Sequence, residues 1–104
     1  APLFFANAEY FRQQVLALVA PEPTPSWLLV NAEAFVYLDS TAVDMLKQLG
    51  DDLRRRGVRL GFARLKGRQR EVFQETGLTA MIGEEHLFPS VREGVAAFEA
   101  ARSD

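Results

Sequence analysis

Asp39, Ser40 and Thr41 stand where a short apolar stretch, Ala34 to Leu38, gives way to a helical pattern. At such a junction the unpaired backbone N–H groups and the helix dipole suit a phosphate or another anion. A hydroxyl there can also act as a phosphorylation switch. A phosphoryl group adds about −1.5 to −2 charges, drawn by the helix N-terminus and repelled by Asp39. The commoner use of such residues is simply to cap the helix, at about 1 kcal/mol per cap. Thr41 and Asp44 stand in the S/T-x-x-D relation, a weaker relative of the capping box.

A second group is basic. Between Leu53 and Arg70 lie eight cations, Arg54, Arg55, Arg56, Arg59, Arg64, Lys66, Arg68 and Arg70, with no acidic residue among them. From Glu71 to the end there are seven acidic residues against Arg92 and Arg102. Such a band could meet an acidic protein, a nucleotide or anionic headgroups, where each Lys or Arg contributes about 1 kcal/mol at a membrane surface. The planar donors of arginine favour phosphate. The plainer reading is solvated surface charge around a helix end.

Little else offers reactivity. The one histidine, His86, follows Glu84 and Glu85, a set that could exchange protons but reads more simply as a surface-loop histidine. With no cysteine, thiol nucleophiles, disulfides and thiolate metal sites are excluded. A hydrolase or phosphotransferase built on Asp39 would lack a general base and metal partners. Trp27, Phe4-Phe5 and Leu87-Phe88 could line a ligand box, although apolar residues in strands are mostly core.

The elements that must position these residues follow from periodicity. Leu3 to Phe5 reads as a strand, with Asn7 as N-cap of a helix reaching Ala20 whose inward stripe is Ala8, Phe11, Val15 and Leu18. Pro21, Pro23 and Pro25 end it. Trp27 to Val30 is a continuous apolar run, expected to be the central strand, covered on both faces. Ala42, Leu46, Leu49 and Leu53 then mark a strongly amphipathic helix that closes at Arg54-Arg55-Arg56 and Gly57. Val58 to Leu65 is a strand in which Gly61 weakens pairing or admits a close approach. A short helix from Gly67 to Thr76 is closed by Gly77, and Leu78 to Leu87 has no clear period. Ser90 and Glu93 form a capping box for a last helix with Val91, Val95, Phe98 and Ala101 inward. Leu29, Leu46, Leu49, Leu53, Phe73 and Phe98 are the expected core.

Strands alternating with helices predict an α/β fold, mainly parallel, with helical crossovers. The 104 residues suffice for one domain that buries roughly 65% of its unfolded surface. Hydrophobic residues at 48% and charged residues at 25% argue against disorder. A net charge of −2 provides no global field for DNA. The longest apolar run, Val15 to Ala20, is far below the roughly 18 residues of a membrane-spanning helix. No export signal is visible, and the abrupt apolar start suggests an excised domain.

The segment LDSTAVDML resembles the Asp-Ser-Ser/Thr-Gly/Ala signature of STAS domains, which occur in anti-sigma-factor antagonists and in sulfate-permease (SulP) anion transporters. APLFFANAEYF, ARLKGRQREVFQETGL and LFPSVREGVAAFE resemble successive segments of the transporter branch, so the likeness runs along nearly the whole chain. The resemblance implies a small β-sheet flanked by helices. It makes residues 1–104 a STAS domain cut from the carboxyl-terminal cytoplasmic end of a transporter, without its first strand. It further implies a non-catalytic regulatory or interaction role with no cofactor, on the cytoplasmic side of the plasma (inner) membrane. The transmembrane domain of a parent homodimer would be its partner. In the antagonist branch, the alternative reading, the phosphoacceptor falls on Thr41. Here Thr41-Ala42 stands where Ser-Gly is frequent, a departure from the pattern that kinases of that branch meet.

Overall fold

The computed structural model describes residues 8–35 and 37–103. The expected strand Leu3–Phe5, the Phe4-Phe5 pair and the Asn7 cap lie outside the described residues. The elements are α1 (Ala8–Val19), β1 (Trp27–Asn31), α2 (Ser40–Arg55), β2 (Arg59–Ala63), α3 (Gly67–Glu75), α4 (Leu78–Ile82), β3 (Leu87–Phe88) and α5 (Val91–Ser103). Short 3-10 turns at Ala32–Ala34 and Glu84–His86 precede α2 and β3.

The strands form a parallel sheet in the order β1-β2-β3. Trp27 pairs with Arg59 and Asn31 with Ala63, while Phe62 pairs with Leu87 and Ala63 with Phe88. Parallel neighbours need a crossover, supplied by α2 between β1 and β2 and by α3 with α4 between β2 and β3. The predicted α/β class and helical crossovers are therefore observed. Among the described residues the strand flanked on both sides is β2, not β1. Every residue from Trp27 to Val30 is only half-buried, whereas Leu60 to Ala63 are buried.

Side-chain alternation along β2 divides the core. Leu60 and Phe62 face α2, α3 and α4. The Phe62 ring meets Phe35 at 6.1 Å and Phe73 at 5.1 Å, both edge to face. Gly61 faces α5, where Phe98 stacks on Trp27 with ring centroids 4.9 Å apart. Four predicted residues of α2, Ala42, Leu46, Leu49 and Leu53, are fully buried, as is Phe73, and Phe98 is nearly so.

Several expected positions move. Leu29, expected in the core, is half-buried because it lies on the face that, among the described residues, α5 covers, against Gly94. On α1 the stripe continues from Val15 to Val19, buried, and leaves Leu18 67% exposed, since the i+4 step and not i+3 keeps to the face packed on α2. On α5 the inward residues are Gly94 and Phe98, with Val95 half-buried and Val91 and Ala101 exposed. The strand at Val58–Leu65 is shorter than expected because Arg64 adopts φ +64°, a left-handed conformation that turns the chain out of the sheet. The aperiodic stretch Leu78–Leu87 resolves into α4, a 3-10 turn and the start of β3, all too short to show a period.

Candidate functional site

The Asp39-Ser40-Thr41 junction is built on the helix it was expected to open. Asp39 is the N-cap, with φ −86° and ψ 178°, and its carboxylate accepts the Ala42 N–H at 2.8 Å. Thr41 is therefore the second helical residue and caps nothing, so the Thr41–Asp44 relation is not a cap. The physical reason is position: only a residue with extended backbone immediately before the first turn can fold its side chain back on the free N–H groups. Ser40 and Thr41 are exposed, while Asp39 and Lys47 are half-buried. Relieved of capping, both hydroxyls are left on the surface.

Beside this turn lies a hollow of about 410 Å³ between α2 and α3, bordered by Asp39, Ser40, Asp44, Lys47, Arg68 and Glu75. Its charges alternate. Arg68 lies 3.3 Å from Glu71 and 3.6 Å from Glu75. Anionic groups outnumber cationic ones along the hollow, so a phosphoryl group on Ser40 or Thr41 would enter a field that is locally repulsive apart from the helix dipole.

The eight cations do not make one surface. β2 separates them: Arg54, Arg55, Arg56 and Arg59 lie at the edge where the parallel strands begin, and Arg64, Lys66, Arg68 and Arg70 follow the edge where they end. Five extended residues span roughly 16 Å between the two sets. Most of these cations are also paired. Arg54 meets Asp51 at 3.1 Å, Arg55 meets Asp52, Arg64 meets Glu33 at 2.6 Å, and Arg70 meets Glu84 at 3.6 Å. Arg56, Arg59 and Lys66 form no ion pair among the described residues. Asp51, Asp52, Glu71 and Glu75 flank the basic run and pair within their own helices, whereas Glu33 and Glu84 reach it from other segments.

His86 is not a free surface side chain. It is half-buried in the turn before β3, with Nδ1 3.0 Å from the Ile82 carbonyl and its ring 5.7 Å from Phe98. Glu85 is 3.9 Å away and Glu84 is engaged by Arg70. Trp27 and Phe88, both half-buried, pack on the ring of Phe98. Among the described residues no group of acidic residues and His86 could hold a metal ion, and no helix is long and apolar enough to cross a membrane. One feature went undetected by sequence reasoning: a cleft formed where Met81 of α4 lies against Gly50 of α2, thirty-one positions apart in the chain.

Comparison with known proteins bears on this arrangement. The family model described as the STAS domain matches residues 1–94. The chain is 43% identical over 99 residues to a protein of Mycobacterium tuberculosis named "Probable sulfate transporter", a match covering 94% of this chain and 18% of that protein. A "Putative sulfate transporter" of Bacillus subtilis is 29% identical over 87 residues, covering 84% of this chain and 16% of that protein. The chain thus spans less than a fifth of the length of these relatives. Among solved structures, a sulfate transporter family protein from Wolinella succinogenes superposes with a TM-score of 0.87 at 21% identity, over 100% of this chain and 83% of that one. The murine Solute Carrier 26 family member A9 anion transporter superposes with a TM-score of 0.83 at 24% identity, over 96% of this chain and 17% of that one.

Proposed function

Since this chain belongs to the STAS domain family, we propose that it is the non-catalytic regulatory and interaction domain of a SulP-type anion transporter. The observation that carries the reading is the 43% identity to a protein named a sulfate transporter, spread over 94% of the chain and not confined to one motif. In this reading the domain is held at the cytoplasmic face of the membrane, against the transmembrane domain of its parent, which works as a homodimer. The anion binds in that transmembrane part, because ion-selecting groups must line the permeation path. The domain acts on rate, assembly or abundance.

Asp39, Ser40 and Thr41 are the control surface we assign within it. The capping carboxylate of Asp39 supports this assignment by freeing the two hydroxyls from structural duty and leaving them exposed. A free-standing antagonist of anti-sigma factors, switched at Thr41, is the second reading. The names of the relatives described above favour the transporter.

The test is sulfate uptake by the full-length parent protein with and without residues 1–104, alongside its abundance in the membrane. The reading expects altered rate or abundance with unchanged anion preference. A change in which anion is carried, or no change in any of these quantities, overturns it.

A further inference from the structure

The edge where the strands begin holds a cleft of about 190 Å³ between α2, α4 and the turn Glu84–His86. Its floor is apolar. Val58 and Leu60 are buried and Ile82 is half-buried. Met81, 38% exposed, closes one side by lying against α2 at Gly50, where a Cβ would stand 2.3 Å from its Cε. Arg54 and Arg59 border the opening. Asp51 also lines the cleft, but it is matched by Arg54 at 3.1 Å. The carboxyl end of α2 adds partial negative charge nearby, and Arg54 and Arg55 in its last turn are engaged by Asp51 and Asp52. Arg59, which lines the cleft, has no ion-pair partner among the described residues. Arg59 also borders a second hollow of about 140 Å³ with Trp27 and Phe98, so one cation stands between two concavities.

We infer that this face docks an acidic segment of a protein partner, seating one apolar side chain in the cleft and setting a flanking carboxylate on Arg59. Size selects the occupant: metabolite pockets run to roughly 300–1,000 Å³, whereas this cleft has room for about one large side chain. Shape excludes a bilayer as the better match, because a plane of headgroups has nothing to insert into a concave apolar floor. Charge completes the match. An unpaired guanidinium presents a planar fork that takes a carboxylate through two hydrogen bonds. This inference rests on the cleft itself and goes beyond the transporter reading without depending on it.

The test is an NMR titration of the isotope-labelled 104-residue chain with the capped peptide EEDFDEE, with EEDSDEE as control. Amide shifts confined to Gly50, Arg59, Met81 and Ile82 are expected. Binding should weaken at least about tenfold in Arg59→Glu, and similarly on replacing the phenylalanine of the peptide by serine. Arg59→Gln, which removes charge without reversing it, should fall between wild type and Arg59→Glu, and its spectrum checks that the fold persists. No shift at about 1 mM peptide overturns the inference, because even weak docking registers there. Shifts away from the cleft, or affinity unchanged in Arg59→Glu, overturn it equally. So does co-sedimentation with phosphatidylserine-containing vesicles that depends on Arg59 while the peptide fails to bind, since the surface would then face a membrane.

Discussion

Gly61 of β2 lies directly beneath the ring of Phe98 on α5: a Cβ at position 61 would come within 2.9 Å of both Cε2 and Cζ, and 3.1 Å from the His86 carbonyl. The missing side chain lets α5 settle onto the sheet, and it lets Phe98 stack on Trp27. Gly61→Ala forces a rigid ring or a backbone carbonyl to move, at a cost of about 1–3 kcal/mol. A lower denaturant midpoint with weakened tryptophan-region circular dichroism is the expected result. Unchanged values of both would show that α5 does not sit this close.

The opposite face should be more sensitive to cavities. Leu49 is fully buried in α2 amid the main core, so Leu49→Ala should cost about 2–5 kcal/mol. Leu18→Ala, on the exposed side of α1, should stay within about 0.5 kcal/mol. Urea denaturation of the pair separates the buried stripe of each helix from its outer side. Equal losses would mean that α1 is rotated on α2.

Arg12 of α1 reaches Asp52 of α2 across forty positions, Nη2 to Oδ2 at 3.2 Å, while Asp52 also receives Arg55. Both side chains are mostly covered, at 28% and 22% exposure, so screening is weaker than for the outer pairs. A double-mutant cycle with Arg12→Ala and Asp52→Ala should return a coupling of about 1 kcal/mol that shrinks with salt. A coupling of zero would reduce the contact to a surface ion pair without structural weight.

What could be read from residue order alone depended on whether the deciding forces were local. α2 was legible because four apolar residues at helical spacing bury one face, and all four are fully buried. The α/β class was legible for the same reason, from alternating patterns joined by Gly57 and Gly77, both at positive φ. β3 was not legible: two residues become a strand only because Phe62 and Ala63 pair with them. The division of the basic run was hidden as well, since it depends on β2 carrying Arg59 and Arg64 to opposite edges. The cap was misplaced by two residues because Asp39 and Thr41 both suit it chemically, and only the backbone conformation at Asp39 decides between them.

That distinction makes the last prediction sharp. Asp39→Ala removes the acceptor of the Ala42 N–H and should lower stability by about 1 kcal/mol, with Asp39→Asn recovering most of it. Thr41→Ala removes an exposed hydroxyl that caps nothing and should change stability by less than about 0.5 kcal/mol. Thr41→Glu places a carboxylate in the first turn, where the helix dipole tolerates it, so the fold should persist while Asp39 and Asp44 gain a repulsive neighbour. In the full-length parent, Thr41→Glu is then expected to alter transport rate where Thr41→Ser does not. With the denaturation midpoint of Thr41→Glu measured beside transport and unchanged, an altered rate comes from the surface and not from a loosened helix. If Thr41→Glu transports like wild type, the junction serves the helix through Asp39 alone.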